Sequence, residues 1–476
     1  MVKLQEKIGY GFGDFSSSMF WKIFTYYLPF FYSNVFGLKL GDAALLVLIT
    51  KLWDAISDPI MGIIADRTQT KWGKYRPYLL WVALPFAVAG VLLFTTPQTD
   101  VYTQKLVWAY ITYILMMTVY TAINVPYGAL LGVMSDDSKE RTVLSSYRMF
   151  FAYGGSFVAL AIFEPLRDYF GGWSGAENVA TDPRAWQYAM AAVAVLCFIF
   201  FVLTFLMTKE RVVSNIKDRN ESRPQNSISK DLKSLMMNGP WWILLGVSIA
   251  VLLFNSIRGG AAAYYFADRI GTDSSLGIMF GKNVFLSCAI FLAVGEIANM
   301  IGVVAAVPLA KFIGKKYAYI TAIAFAGVFS LVFYFLTAET TLNYWLILVV
   351  QVIISIGAGV TLPLVWSMFA DVADYSEHKN GNSSVGLIFS SSSMAQKFGG
   401  AFGTYLVLWL LALYSYQTPV DGLAVTQSEQ TLVGLNALMS WIPALACVLG
   451  VIIMLLYPLN EKKMEGIRSD LSKLRK

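Results

Sequence analysis

Long apolar stretches follow one another along almost the whole chain, and this succession limits what the chain can fold into. A helix that crosses a lipid bilayer needs about 20 mostly apolar residues. The sequence offers such stretches at roughly 10–36, 42–65, 76–97, 104–130, 142–166, 185–208, 240–268, 276–309, 315–337, 341–371, 384–416 and 431–458. We therefore predict an all-α membrane protein with twelve transmembrane helices.

The composition argues against a soluble protein. Of the 476 residues, 57% are hydrophobic and 14% are charged, whereas soluble proteins carry about 25% charged residues. The net charge of +6 is spread between the apolar stretches, so we expect a lipid bilayer as the partner and not a nucleic acid. The single histidine and the three scattered cysteines form no metal-binding or redox pattern. No cofactor is therefore expected.

Lys and Arg are distributed unequally between the two sides of the predicted bundle. Of the 36 basic residues, 25 lie in the segments on the side of the N-terminus and 6 lie in the segments on the opposite side. Because short cytoplasmic loops carry an excess of Lys and Arg, both termini are predicted to be cytoplasmic. The expected location is the inner (plasma) membrane of the cell.

A long charged segment divides the chain into two sets of six predicted helices. We assign 1–208 to an N-terminal half that carries a cation site, 209–239 to a cytoplasmic central loop, and 240–476 to a C-terminal half with a cytoplasmic tail. Matching loops of the two halves hold a Gly-Lys pair followed by aromatic residues, at 73–78 and 314–319. This similarity indicates parallel six-helix repeats with a binding site between them near the middle of the bilayer.

Two aspartates in the second apolar stretch are the first functional candidates, because charges inside a membrane are costly. Asp54 and Asp58 are four residues apart and therefore lie on one helical face. Two such carboxylates repel each other unless a positive charge lies between them, and Na⁺ or a shared proton would serve. The alternative is that Asp54 pairs with Lys51 while Asp58 caps a neighbouring helix.

Polar residues in the fourth stretch form a second group of candidates. Tyr120, Thr121 and Asn124 offer hydroxyl and amide oxygens, which suit a hard cation and also suit sugar hydroxyls. The alternative is hydrogen bonding between helices, which is common in membrane bundles.

Basic residues within the stretches form a third group. Arg148, Arg258 and Lys397 lie in the fifth, seventh and eleventh stretches. Arg148 is near the end of its stretch and could instead extend to the membrane surface, whereas Lys397 follows a run of serines that indicates a polar cavity wall. Lys22 and Glu296 either pair with each other across the halves, or Lys22 meets an anionic group of the substrate.

Acidic residues at the inner end of the tenth stretch are candidates for a gate. Asp371 and Asp374 could form salt bridges with Arg141 between the two halves at the cytoplasmic side. The alternative is a solvated helix end.

Five segments make the chain similar to a known family. They are residues 9–14 (GYGFGD), 53–62 (WDAISDPIMG), 120–127 (YTAINVPY), 257–266 (IRGGAAAYYF), and 370–375 (ADVADY) leading to Lys397. In these segments the chain resembles the glycoside–pentoside–hexuronide:cation symporters, a family that includes the melibiose carriers. The resemblance implies a major-facilitator-like fold and uptake of a sugar or glycoside coupled to H⁺, Na⁺ or Li⁺.

The resemblance also implies roles for individual residues. Asp54 and Asp58 match the cation-binding aspartates, and Thr121 matches a hydroxyl near the cation. Tyr120, Arg148, Ser393 and Lys397 fall at positions near the sugar. With the candidates from the residues themselves, the predicted cation-binding residues are Asp54, Asp58, Thr121 and Asn124. The predicted sugar-binding residues are Ser18, Lys22, Tyr120, Asn124, Arg148, Arg258, Ser393 and Lys397.

Three positions depart from the pattern of the melibiose carriers. Ser18 and Asn124 stand where those carriers have aspartates, and Gly128 stands where they have tryptophan. Galactoside specificity is therefore not implied, and the loss of a negative charge leaves H⁺ and Na⁺ both open as coupling ions. Fewer carboxylates together with Lys22 would make the sugar pocket more positive, which motivates the hypothesis of an acidic sugar such as a uronide or a sulfonated sugar.

Taken together, the sequence predicts a transporter and not an enzyme. The expected mechanism is symport of a sugar or glycoside with H⁺ or Na⁺ by alternating access. The alternatives are an uncoupled sugar facilitator or a sugar-sensing membrane protein. The buried carboxylate pair favours coupling, because uncoupled passage does not require it.

Overall fold

The structure is a computed structural model of the chain. It describes residues 2–135, 138–175, 178–211, 235–270, 274–279, 282–336, 340–380, 385–419 and 425–474. Most of the predicted central loop therefore lies outside the described residues. The same holds for three side chains that the sequence analysis names, those of Lys51, Arg141 and Ser393.

Six helices precede the central loop in the described part of the chain. They are α1 (Leu4–Tyr26), α2 (Leu40–Arg67), α3 (in two segments, Arg76–Trp81 and Ala83–Leu93), α4 (Tyr102–Met134), α5 (Ser138–Ser174) and α6 (Pro183–Met207). Helix α1 continues through Leu28–Phe30 into a π-helical turn at Phe31–Val35. A 3₁₀ turn at Val179–Thr181 leads into α6.

Six further helices follow the central loop, and a surface helix follows them. They are α7 (Gly239–Tyr265, then a π-helical turn at Phe266–Ile270), α8 (Cys288–Ile313), α9 (Lys315–Phe333), α10 (Thr341–Asn380), α11 (Val385–Leu413), α12 (in two segments, Glu429–Met439 and Trp441–Leu455) and α13 (Glu461–Leu474). Eight helices of the described part are long and apolar enough to cross a membrane. Shorter apolar helical stretches of the described part are Leu40–Thr50 and Ile56–Ala65 in α2, Ala83–Leu93 in α3 and Lys397–Leu413 in α11.

The beginning of the eighth span was predicted wrongly. The prediction began at residue 276, but two antiparallel strands occupy this region, β1 (Ser275–Met279) and β2 (Lys282–Phe285). Gly277 has a φ angle of +101°, a conformation that a helix does not allow and that glycine adopts easily. Helix α8 begins only after Ser287, whose Oγ accepts a hydrogen bond from the backbone N–H of Ile290 at 3.2 Å.

The helices form two halves, in which close backbone contacts depend on small residues. Helix α1 packs on α5 and α6, and α8 packs on α10; across the halves, α2 packs on α11 and α5 on α8. A Cβ atom at Gly302 of α8 would lie 2.2 Å from the backbone oxygen of Ile356, and one at Gly359 of α10 would lie 2.3 Å from the backbone oxygen of Asn299. Only glycine permits this approach, which fixes α8 against α10.

Polar contacts join the halves in the middle of the bundle and at the end away from the termini. At that end Ser33 and Tyr264 share a hydrogen bond of 2.7 Å, and Asn34 donates to the hydroxyl of Tyr416 at 2.7 Å. The backbone N–H of Ala289, at the start of α8, donates to Glu164 of α5 at 2.8 Å. Hydrogen bonds therefore hold the two halves in contact at the end opposite to the termini.

Candidate functional site

Two carboxylates and a hydroxyl form a compact cluster between α2 and α4. Thr121 Oγ1 lies 2.9 Å from Asp58 Oδ1 and 3.3 Å from Asp54 Oδ1. The carboxylates lie one helical turn apart, and Asp54 is almost completely buried at 1% exposure. Because a hydroxyl carries a single proton, Thr121 donates to only one of the two carboxylates at a time. The cluster therefore has a surplus of oxygen lone pairs.

A lysine from the other half neutralises part of this cluster. Lys397 Nζ, on α11, forms an ion pair with Asp58 and lies 3.6 Å from Asp54 Oδ2. The lysine thus occupies the position between the carboxylates at which the sequence predicts a cation. With both aspartates ionised, the three side chains Asp54, Asp58 and Lys397 together carry one negative charge. The pairing with Lys51 stays open, because that side chain lies outside the described ones.

Asn124 and Tyr120 both contact α1. Asn124 Oδ1 accepts a hydrogen bond from Ser17 Oγ at 2.7 Å, and its Nδ2 donates to the backbone oxygen of Tyr120 at 3.1 Å. The Tyr120 ring packs against Trp21, with 5.4 Å between the ring centroids. Of the four predicted cation ligands, the structure therefore brings Asp54, Asp58 and Thr121 together, while the described hydrogen bonds of Asn124 hold it elsewhere.

A cavity of about 300 Å³ lies between the two halves, beside the acidic cluster. Its volume is at the lower end of the range for pockets that hold small molecules. Aromatic and polar side chains line it together, among them Trp21, Lys22, Phe24, Tyr26, Tyr153, Asn255, Glu296, Asn299, Lys397 and Thr404. Aromatic faces can pack on the apolar face of a sugar ring while the polar groups bind its hydroxyls. Lys397 belongs to both the cavity and the acidic cluster.

Lys22 and Glu296 meet across the halves in the wall of this cavity. Lys22 Nζ, on α1, lies 3.0 Å from Glu296 Oε2, on α8. The hydroxyl of Tyr26 lies 3.4 Å from the same ammonium. Asn299 Nδ2 donates to Glu296 Oε2 at 3.4 Å. Of the two alternatives left open by the sequence, the structure shows the pairing between the halves.

Neither predicted arginine lines this cavity, but Arg258 lines a smaller cavity that shares Tyr26, Asn255, Glu296 and Asn299 with it. Arg148 forms an ion pair with Asp14 of α1, and its guanidinium lies 5.1 Å from the centre of the Tyr127 ring. Arg258 donates a hydrogen bond of 2.6 Å to Gln351 Oε1 within the C-terminal half. Ser18 is half-buried on α1, one turn before Lys22. Their predicted roles in sugar binding stay predictions.

At the termini end, the described contact of Asp371 stays within one half. Its Oδ2 lies 2.6 Å from Lys315 Nζ, which belongs to α9 of the same half. Asp374 is half-buried in α10, and the side chain of Arg141 lies outside the described residues. A gate formed by these three residues therefore stays a prediction.

The cavity also contains polar residues that the sequence analysis missed. Tyr153, Asn255, Asn299 and Thr404 line it. A signal for two of them was visible in the sequence. Asn299 follows Glu296 by three residues, and Asn255 precedes Arg258 by three, so each pair shares a helical face.

Twelve helices in two halves, with a polar cavity between them, define a transporter of the major facilitator type. A family model described as "MFS/sugar transport protein" matches residues 9–461. The chain belongs to this family of membrane transport proteins. Among solved structures, the xylose transporter XylE from E. coli in its inward open conformation matches with a TM-score of 0.60 at 14% identity, covering 98% of both chains.

Two curated relatives are similar over nearly their whole length. The inner membrane symporter YicJ of Escherichia coli (strain K12) is 33% identical over 454 residues, which cover 95% of this chain and 91% of the relative. The isoprimeverose transporter of Lactiplantibacillus pentosus is 31% identical over 461 residues, which cover 97% of this chain and 90% of the relative. These relatives and the family model confirm a multi-pass transporter of the sugar symporter class.

Proposed function

We propose that this protein imports a sugar or glycoside in symport with H⁺ or Na⁺, by alternating access of the cavity between its halves. The observation that carries the proposal is the position of Lys397, which lines the cavity and also pairs with Asp58. A change at the carboxylates therefore changes the wall of the cavity. The two relatives, a symporter and an isoprimeverose transporter, support the same class of activity.

The coupling ion would bind at Asp54, Asp58 and Thr121. Carboxylate and hydroxyl oxygens are ligands that hard cations prefer, and a proton would bind to either carboxylate. Because Lys397 occupies the space between the aspartates, the ion must displace its ammonium, which then moves toward the cavity. Ion and sugar thereby influence each other's affinity, and linkage requires this effect to be equal in both directions.

The contacts between the halves support an inward-facing state, in which the halves are separated on the cytoplasmic side. The halves are fastened at the end opposite to the termini, through Ser33, Asn34 and Glu164. The excess of Lys and Arg on the termini side supports cytoplasmic termini. We propose that residues 1–208 and residues 240–476 form the two halves that move against each other. Residues 209–239 connect them on the cytoplasmic side. The cavity of the described state opens toward the cytoplasm.

Transient currents in proteoliposomes test the proposal. Pulses of neutral and acidic glycosides are applied at fixed pH, with and without Na⁺, and radiolabelled counterflow is measured in parallel. A current with a neutral glycoside establishes symport, and its dependence on Na⁺ identifies the ion. Counterflow of a neutral sugar without current would show an uncoupled facilitator. Neither current nor counterflow for the whole panel would contradict transport and favour a sensor.

The replacement Asp58→Asn tests the coupling site directly. We expect the variant to lose accumulation of sugar against a gradient, because the cluster loses the carboxylate that Thr121 and Lys397 contact. Asp42→Asn is the matched control, since Asp42 lies in the same helix but hydrogen-bonds Tyr102 outside the cluster. Full accumulation by the Asp58 variant would remove this residue from the coupling site.

A further inference from the structure

The cavity carries a second ion pair that the proposed cation site does not use. Lys22 and Glu296 belong to opposite halves and both line the cavity. Glu296 is 3% exposed, and the Lys22 side chain is 22% exposed. The carboxylate is therefore almost fully buried, while the ammonium keeps a surface toward the cavity. Removing one partner from a buried pair is costly, because the other charge stays behind without compensation.

Close packing holds the two charges in place. A Cβ atom at Gly259 of α7 would lie 2.0 Å from the Tyr26 ring, so only a glycine there lets the Tyr26 hydroxyl reach Lys22. On the other side, Asn299 contacts Glu296, and the glycine contacts between α8 and α10 hold the turn that carries both residues. The pair is thus an ordered part of the cavity wall.

Both lysines of the cavity wall are paired with carboxylates in this arrangement. Lys22 is neutralised by Glu296, and Lys397 is neutralised by Asp58. The hypothesis of an acidic sugar assumed that Lys22 presents an uncompensated positive charge. An anionic sugar that approaches Lys22 would instead meet the Glu296 carboxylate 3.0 Å behind it. It would either be repelled or leave that carboxylate buried without its partner.

A neutral sugar does not meet this obstacle. Its hydroxyls can accept a hydrogen bond from the Lys22 ammonium and donate one to the Glu296 carboxylate, so each charge keeps a polar partner. A site that is built around hydrogen bonds of this kind rejects ligands that leave its buried groups unpaired. Since the two residues belong to different halves, such a sugar would also bridge the halves.

We infer that the Lys22–Glu296 pair is a charge filter that makes the transporter select neutral glycosides over acidic ones. The inference rests on the proposed function, because it concerns the selectivity of sugar transport through the same cavity. Glu296 thereby contributes to substrate specificity, and Lys22 pairs with Glu296 and not with an anionic group of the substrate.

The test compares two substrates that differ in one group, methyl β-D-glucopyranoside and methyl β-D-glucuronide, with methyl β-D-xylopyranoside as a second neutral sugar. Counterflow is measured in proteoliposomes for the wild type, Glu296→Gln, and the double variant Lys22→Gln with Glu296→Gln. We expect the wild type to prefer the neutral sugars at least tenfold. In Glu296→Gln the freed Lys22 charge should shift the ratio toward the glucuronide by roughly tenfold or more, and the double variant should restore the neutral preference.

A matched control separates this role from general damage. Glu164→Gln removes another buried carboxylate that crosses the halves but lies away from the cavity, and its substrate ratio should equal that of the wild type. Thermal unfolding of each purified variant identifies those that fail to fold, and the double variant keeps the test possible because it leaves no unpaired charge.

Two outcomes would overturn the inference alone. These are preference of the wild type for the glucuronide, and an unchanged substrate ratio in a folded Glu296→Gln variant. Absence of counterflow and current for every sugar in the folded wild type would instead contradict the proposed function itself.

Discussion

Replacing Lys397 by methionine would remove the ammonium of the C-terminal half that pairs with Asp58 and lies close to Asp54. We expect the acidic cluster of the variant to bind the coupling ion more tightly than that of the wild type. In the wild type the ion must displace the Lys397 ammonium, which pairs with Asp58 and lies 3.6 Å from Asp54. In the variant this competitor is absent, and Asp54 and Asp58 have one positive neighbour fewer.

The size of the effect follows from the distance. Two unit charges 3.6 Å apart interact by about 5 kcal/mol at an effective dielectric constant of roughly 20. The Lys397 side chain is 31% exposed, so solvent screens part of this attraction. Taking about half of it, the gain is about 2 kcal/mol, or roughly 30-fold in affinity for a monovalent cation.

Thermal unfolding of the purified protein in detergent measures this change. Tm is followed in choline, Na⁺ and Li⁺ buffers, and over a pH series for the case of H⁺ coupling. Without a bound ion the variant should be less stable than the wild type, because the buried Asp54 and the half-buried Asp58 repel each other. The ion should then raise its Tm more steeply and at lower concentration.

Lys22→Met is the matched control, since this lysine lies in the same cavity but pairs with Glu296. Its ion affinity should stay within a few-fold of the wild type. An ion affinity of Lys397→Met that is equal to or weaker than that of the wild type would refute competition. It would mean that the ammonium organises the carboxylates for the ion instead of competing with it.

Three further substitutions test how the fold supports the site. Gly128→Ala is their control, because a Cβ atom at Gly128 would have no neighbouring atom within 4 Å. Gly302→Ala places a Cβ atom 2.2 Å from a backbone oxygen of α10, and such overpacking should cost about 1–3 kcal/mol of stability, measured by thermal unfolding. Gly259→Ala places a Cβ atom 2.0 Å from the Tyr26 ring; we expect weaker sugar binding with little change in ion binding, and an unchanged KM for counterflow would contradict the role of this contact. Glu210→Gln weakens a carboxylate that accepts hydrogen bonds of 2.7–2.9 Å from three successive backbone N–H groups at the start of α3. Its loss should cost about 1–2 kcal/mol, and an unchanged Tm would show that these bonds contribute nothing.

The membrane-spanning helices could be predicted from the sequence, because the formation of each helix depends on the residues of its own segment. A segment in lipid must satisfy its own backbone hydrogen bonds, so an apolar stretch of sufficient length forms a helix wherever its neighbours lie. The same locality explains why Asp54 and Asp58 were correctly placed on one face, since helical periodicity alone determines it. The exception is the start of the eighth span, where Ser275–Met279 and Lys282–Phe285 were predicted as part of a helix but pair as strands β1 and β2.

The sequence by itself therefore determined the membrane class, the twelve helices and the facing pair of aspartates. Tertiary structure alone decided which charges meet. Lys397 reaches Asp58 across 339 residues of sequence, Lys22 meets Glu296 from the opposite half, and Arg148 is held by Asp14. The physical reason is that periodicity assigns a residue to a face of its own helix. Which residues of another helix this face contacts depends on how closely the two backbones approach each other. Glycines such as Gly302 and Gly359 determine that distance, because they form contacts between segments that are distant in the sequence.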